Sequence, residues 1–419
     1  MTTIARPVNW AGNVTFTPTA FAAPDDIDGL CAAVRDRAGR RVKALGSGHS
    51  FNAIADTPGL QIATDRLDRI GPLDEERGTV TIEAGVRYAQ LGPWLHERGW
   101  ALHNLPSLPH ITIAGAVATG THGSGSANGG LATAVTATEL VGADGELRRF
   151  ERGEADFAGL PVSVGALGVV ARLELEVEPT FEVEQTVWSD LAWDDVLASF
   201  DTVVDAASSV SLFTTWNRDV VDQVWTKQRV DHPNGATLAD VGARPFDVEV
   251  HPVGGDPATC TAQLAVAGPW HERLTHFRDG FRPGTGAELQ SELFVDRRVA
   301  VEAIAVIREM GDVLEPVLLA GEVRTVAADE LWLSGAFGRD TVAFHFTWAL
   351  DPTAVAPVIA QLEQQLAPCD PRPHWGKLTS LDADTIRSRF PKIERFDALR
   401  RSLDPHRVFD NPTLRSMLG

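Results

Sequence analysis

The sequence predicts an α+β protein of two domains, and three observations carry that expectation. At roughly 100–200 residues per domain, 419 residues suggest two or three domains. Strand-like and helix-like stretches follow one another without the regular strand–helix–strand rhythm of a βαβ series. No internal repeat or low-complexity tract is present, so the two halves read as separate α+β units. A hydrophobic fraction of 44% supplies the apolar residues for sizeable cores.

The elements can be justified in order. Residues 24–37 read as a helix, because Asp25 or Asp26 can cap it and Ile27, Leu30, Cys31 and Val34 recur at helical spacing. A short strand over 41–45 runs straight into Gly46-Ser47-Gly48-His49-Ser50. A strand over 80–83 and a helix over 88–98 follow. The stretch 114–130 is so rich in Gly, Ser, Thr and Ala that it reads as a loop or a surface offered to a ligand. Over 172–178, Leu173, Leu175 and Val177 alternate with charged residues, which is a half-buried strand. Pro179 ends it and marks a domain boundary. In the second half, helices are expected over 297–310 and 353–366. Strands are expected over 321–325 and 342–348, and a closing turn region over 404–411.

Composition excludes several functions. The 37 basic and 57 acidic residues leave a net charge of −20, which argues against nucleic-acid binding and against docking on an anionic membrane. A neutral or cationic substrate suits that field better than an anionic one. Only Lys43, Lys227, Lys377 and Lys392 are lysines, a bias best read as codon usage. Cys31, Cys260 and Cys369 are scattered and odd in number, so neither a disulfide framework nor a zinc site is expected. His103, His110 and His122 fit no ligand spacing, and no metal is expected. Met1 to Phe21 lacks an apolar core behind a basic start, and no apolar run reaches a membrane span. The expectation is a soluble, cytoplasmic protein.

The glycine-rich segments point to a cofactor. Gly46 to Ser50 can offer successive backbone N–H groups to an anion. No Gly-Lys-Ser/Thr follows, so it is not a Walker loop. The third glycine and the following helix of a Rossmann fingerprint are also missing. Taken alone, it could be an ordinary glycine turn. A second run, Ala114 to Gly125, and a third, Val164 to Val170, suggest an extended ligand threaded between them. A dinucleotide is the natural candidate, and FAD fits a frame that is not Rossmann-like.

On the second-half strands, Glu322 and Arg324 share one face, as do His345 and Thr347, while Phe344, Phe346 and Trp348 point the other way. Such a face could be a solvated surface with a salt bridge. It could also pair several hydroxyls of a polyol at once. Arg324 and Lys377 then read as a local positive spot in an acidic protein.

Several motifs carry a resemblance. Leu45 to Asn52, Thr119-Gly120-Thr121-His122-Gly123 and Gly165 to Val169 resemble the FAD-binding domain of the vanillyl-alcohol oxidase flavoprotein superfamily. Asn9 to Asn13, Ser107 to His110, Glu322 to Ala327, His345 to Trp348 and Pro373 to Lys377 resemble its alditol oxidase branch, in both halves and in the same order. The resemblance implies a two-domain vanillyl-alcohol oxidase-type fold. A FAD-binding domain would span 1–178 and a substrate-binding cap with an antiparallel sheet 179–372, while 373–419 would return to the FAD domain.

The resemblance also implies FAD linked covalently to His49. Leu45, Gly46, Ser47, Gly48, Ser50, Ser107, Thr112, Gly115, Thr119, Gly120, Thr121, His122, Val170 and His374 would also bind the cofactor. With no cysteine in a matching motif, a single link is expected. Ser107, Glu322, Arg324, His345, Thr347 and Lys377 would surround an alditol such as xylitol or sorbitol, with Arg324 and Lys377 catalytic. The implied reaction oxidises the terminal primary alcohol, with O₂ reduced to H₂O₂. The aldonolactone (gulonolactone-type) oxidases and dehydrogenases share the Glu-x-Arg and His-x-x-Lys patterns and stand as the alternative. A monomer is expected. One position departs from the branch: Pro106 stands where its members have a small alanine, which stiffens the loop beside the flavin.

Overall fold

The computed structural model describes residues 8–233, 237–280 and 288–419. The first seven residues of the Met1–Phe21 stretch lie outside them. Three sheets dominate. A small parallel sheet joins Ala20–Ala22, Leu60–Ala63 and Val42–Leu45. A five-stranded antiparallel sheet runs Ile70–Asp74, Thr79–Glu83, Val169–Glu176, Val135–Val141, Leu147–Glu151. The second half forms a nine-stranded antiparallel sheet, centred on the neighbouring strands Ser209–Thr214, Leu318–Val326, Thr341–Ala349 and Glu288–Asp296. The architecture is α+β, with the antiparallel sheet where the second-half strands were expected.

Local chemistry explains the helices. Asp26 caps Ile27–Arg35 by accepting from the Gly29 N–H at 2.7 Å, and Ile27, Leu30 and Val34 form its buried face. Asp351 caps Pro352–Gln365 in the same way, with Pro352 in the first turn, where its missing N–H costs nothing. On the large sheet, Phe344, Phe346 and Trp348 are fully buried against Ile304, Ile307, Ile359 and Leu362 of the covering helices. Burying each such side chain is worth about 1.5–3 kcal/mol, which fixes the polar face of the same strands on the opposite side.

Two expectations need correction. Ile113–Ala118, at the start of the stretch 114–130 read as a loop or a ligand-facing surface and not as a core element, is a short helix with Ile113, Ala114, Ala116 and Val117 buried. Small size does not disqualify alanine from a core; it lets a helix backbone pack closely, and alanine is the best helix former. The turn over 404–411 is followed by a further helix, Pro412–Leu418, capped by Asn411, whose side chain accepts from the Leu414 N–H at 2.7 Å. Leu414, Met417 and Leu418 share one core with Trp375, Phe390 and Phe396 and with first-half residues such as Val117, Leu160 and Val162. The chain's last segment therefore packs on the half that carries the glycine-rich turns. Among the described residues no helix is long and apolar enough to cross a membrane.

Candidate active site

One cavity of about 750 Å³ takes in both the glycine-rich turns and the polar face of the large sheet. It is within the size range of cofactor and ligand sites. The turn Gly46 to Ser50 lines it, with Gly48 in the left-handed region at φ +70°. A side chain at Gly46 would place its Cβ 2.4 Å from Thr112 Oγ1, so only glycine lets the two segments close together. They are tied directly: Thr112 N–H donates to Ser47 Oγ at 3.3 Å, and Ser47 N–H to Thr112 Oγ1 at 3.4 Å.

His49 is held from two sides. Trp10 stacks on its ring, with centroids 4.8 Å apart, and His110 Nε2 lies 2.8 Å from His49 Nε2. The Asn9–Asn13 segment is pinned behind it. Trp10 N–H donates to Gly48 C=O at 2.8 Å, and the Asn9 and Asn13 amides donate to Ser50 C=O and Phe51 C=O. The same turn anchors the last segment of the site. Phe51 N–H donates to Gly376 C=O at 2.7 Å, and Asn52 Nδ2 to the carbonyls of Trp375 and Lys377, each at 2.9 Å. His49 and Lys377 are thus fixed relative to each other by one backbone hydrogen bond and two from the Asn52 amide.

The sheet contributes a charged cluster. Glu292, His345 and Glu322 are direct cross-strand partners on three adjacent strands. Glu292, only 1% exposed, is the hub. Its Oε1 accepts from Arg324 Nη2 at 2.8 Å and from His122 Nε2 at 2.9 Å, and its Oε2 from Lys377 Nζ at 2.5 Å. Lys377 also donates to His345 Nδ1 at 2.6 Å. His345 therefore carries its proton on Nε2 and donates to Thr347 Oγ1 at 3.0 Å, leaving Thr347 its own proton to donate. Arg324 Nη1 reaches Ser107 Oγ at 3.4 Å, and Glu322 accepts from His276 Nε2 at 2.9 Å.

These contacts set the protonation states. Burial alone would raise the Glu292 carboxyl, but Lys377, His122 and Arg324 overcome it and hold it well below the usual carboxylate range. Glu322 is likewise lowered against its burial, by Arg324 and His276. Burial, then Lys377, pushes His345 down to about 4, and the same two causes hold His374 well below its ordinary value. Burial also lowers Lys377. The cluster is two carboxylates facing two cations. The expected positive spot is therefore a neutral group, because burying Arg324 and Lys377 without counter-ions would cost several kcal/mol.

Every residue expected at the site lines the cavity except Gly120. Gly120 instead sits just past the Ile113–Ala118 helix at φ +70°, its N–H bonded to Val117 C=O. Its part is to turn the chain, as glycine does after a helix. Two site residues escaped the sequence reading. Glu292 carried a legible signal, since Glu288, Gln290 and Glu292 alternate with Leu289, Ser291 and Leu293. His276 lies in a loop and carried none. Among the described residues no cluster of His, Cys, Asp and Glu fits a metal ion.

Comparison with known proteins agrees with this geometry. Residues 18–151 match the FAD binding domain family, and residues 292–417 match the D-arabinono-1,4-lactone oxidase family. The chain is 47% identical over 414 residues to an alditol oxidase of Streptomyces sp., covering 98% of both chains. It is 31% identical over 439 residues to an L-gulono-1,4-lactone dehydrogenase of Mycobacterium tuberculosis, again covering 98% of both. Among solved structures, it resembles a chitooligosaccharide oxidase with a TM-score of 0.77 at 15% identity, covering 97% of this chain and 94% of the other. A xylooligosaccharide oxidase from Myceliophthora thermophila gives 0.77 at 15% identity, covering 99% and 94%. With an FAD-binding half, a polar antiparallel cap and a full-length relative at 47% identity, the chain belongs to the alditol oxidase family of vanillyl-alcohol oxidase-type flavoproteins.

Proposed function

We propose that this protein oxidises the terminal primary alcohol of alditols such as xylitol and sorbitol to the aldehyde, using FAD linked to His49. FAD would supply, when bound, the two-electron acceptor for the hydrogen leaving the alcohol carbon, and overall that hydrogen and the hydroxyl proton would leave with O₂ as H₂O₂. The observation that carries the reading is the neutral Glu292–Glu322–Arg324–Lys377 cluster in the same cavity as the Gly46–Ser50 turn. The close approach of Gly46 to Thr112 and the cavity volume fit a dinucleotide lying against those backbones.

In this reading Arg324 and Lys377 hold the C1 oxygen and steady the charge that develops on it. Glu322 accepts from the C2 hydroxyl, and Ser107 and Thr347 orient the rest of the chain. Glu292 keeps both cations aimed into the cavity. His374, pushed well below its ordinary value by burial, and His122, also lowered by burial, stand at the cofactor. An uncharged polyol suits the charge-balanced Glu292–Glu322–Arg324–Lys377 cluster. The protein would work in the cytoplasm as a monomer, without nucleic-acid or membrane partners. Its three cysteines are unpaired, in keeping with a reducing compartment.

The test is anaerobic mixing of the holoenzyme with xylitol, sorbitol, glycerol and an aldonolactone while flavin absorbance is followed. Bleaching by the polyols, and peroxide on readmitting air, is the expected result. Bleaching by the lactone alone would replace it with the aldonolactone reading, which the match over 292–417 and the mycobacterial relative support. No bleaching by either would leave a flavin-binding protein without this activity.

A further inference from the structure

His276 joins the two halves of the cavity. It lies outside the sheet, between the short 3₁₀ turn Trp270–Glu272 and the strand Glu288–Asp296. Its backbone N–H donates to Ser107 C=O at 3.2 Å, on the loop beside the glycine-rich turns. Its ring reaches Glu322 Oε1, on the large sheet, at 2.9 Å. Arg324 also reaches both Ser107 and Glu322, but through its side chain alone, whereas His276 holds Ser107 by its backbone and Glu322 by its ring. His276 is 5% exposed, and its ring is wedged against Phe213 and Trp225, with centroids 5.4 and 5.6 Å away.

The segment is held from behind. Lys227 Nζ donates to the carbonyls of Leu274 at 2.7 Å and Thr275 at 2.6 Å. Thr261 N–H donates to His276 C=O at 3.0 Å. The ring cannot turn away without breaking this packing. Burial, then Lys227, pushes the imidazole down to about 4, so it is neutral at physiological pH. Facing a carboxylate oxygen, its single proton belongs on Nε2, where it donates to Glu322. Nδ1 has no hydrogen-bond partner among the described residues, as a bare ring nitrogen against aromatic edges would not. One oxygen of Glu322 is therefore committed to His276. The other, Oε2, lies 3.5 Å from Arg324 Nε, and its remaining lone pairs are available to a ligand in the cavity.

We infer that His276 is a positioning residue for substrate specificity: by engaging one oxygen of Glu322 and the backbone of Ser107, it presents the other oxygen to the substrate hydroxyl next to the reacting carbon. The inference rests on the reading of Glu322 as the acceptor for that hydroxyl. It goes further in assigning the orientation of Glu322, and the alignment of the two halves around it, to a residue that need not touch substrate. Discrimination for the adjacent hydroxyl is the property such an arrangement controls, because a buried acceptor left unpaired penalises a substrate that lacks it.

The test compares glycerol with 1,3-propanediol, which differ in the C2 hydroxyl, using His276→Ala, His276→Gln and Glu322→Gln holoenzymes. Flavin content and thermal midpoint establish that each variant is folded and loaded. For His276→Ala, the ratio of kcat/KM for glycerol over 1,3-propanediol should fall about ten-fold, the size expected for losing a hydrogen bond to a charged group. Most of the change should lie in glycerol. His276→Gln, which keeps an N–H donor, should recover much of the ratio. An equal fall on both substrates, with the ratio unchanged, would overturn the inference and make His276 merely structural. So would an unaltered ratio at full activity. Glu322→Gln separates the two levels. If it collapses the ratio while His276→Ala does not, Glu322 reads the hydroxyl and His276 does not position it. If neither changes the ratio, the assignment of Glu322 fails, and the inference with it.

Discussion

Glu292 decides the chemistry available to the site, although it belongs to no motif. It is the shared acceptor of Arg324, Lys377 and His122. Removing one partner of a buried ion pair leaves charge uncompensated, at a cost of about 3–5 kcal/mol. Glu292→Ala should therefore lower the thermal midpoint and slow flavin reduction by xylitol about 100-fold or more. Glu292→Gln should retain more stability than Glu292→Ala while still reducing slowly. Stopped-flow absorbance and a melting curve check both, and normal reduction in Glu292→Ala would remove it from the mechanism. At His49, acid precipitation should leave the yellow colour in the pellet, and His49→Ala should release it to the supernatant. Free flavin from the unmutated protein would refute the covalent link. The glycine turns and the polar faces of 321–325 and 342–348 were legible from spacing, whereas His49, Ser107, Thr112, His374 and Lys377 were legible only through the family resemblance of the motifs around them. Glu292 was legible only in hindsight, as one tooth of a polar alternation, and His276 not at all, since a loop imposes no period.

At the scale of elements, the Gly46–Ser50 turn and the Ile113–Ala118 helix act as one unit through Thr112. Gly46→Ala should collide with Thr112 Oγ1 and reduce the flavin bound per chain. Adding Thr112→Ala removes the colliding oxygen and should restore part of the loading, measured as the ratio of visible to protein absorbance. If the single variant loads fully, the close approach is not what holds the cofactor segment. The Ile113–Ala118 helix was misread because small residues serve both loops and tight helix packing. The alternation in 342–348 was legible because aromatic residues recur at every second position, and the structure buries that face fully and turns His345 and Thr347 to the cavity.

For the molecule as a whole, the net charge of −20 and the neutral cluster work at different ranges. Surface charge is screened beyond about 8 Å at physiological salt, and an uncharged polyol feels little of it. Raising sodium chloride from about 20 to 500 mM should therefore change kcat/KM for xylitol less than about two-fold, since electrostatic steering acts on charged ligands. A steep salt dependence would mean that a charged molecule is the true substrate. Charge total and residue types were readable from the sequence. Their cancellation inside the cavity was not, because it depends on strands from 288 to 349 and a turn at 377 meeting in space.

The row Glu292–His345–Glu322 has one more consequence. Because the three residues are partners across adjacent strands, their spacing is set by the sheet's hydrogen-bond ladder, about 4.8 Å per step. The site is a ruler graduated by the peptide backbone. Substitution can repaint its marks, changing which functional groups are read, but cannot stretch the interval between them. A single inserted residue in any of the three strands would turn the painted side inward and present Val323, Phe344 or Leu293 to the cavity instead. New specificities on this frame are therefore reached by exchanging residues on the ruler, not by lengthening it.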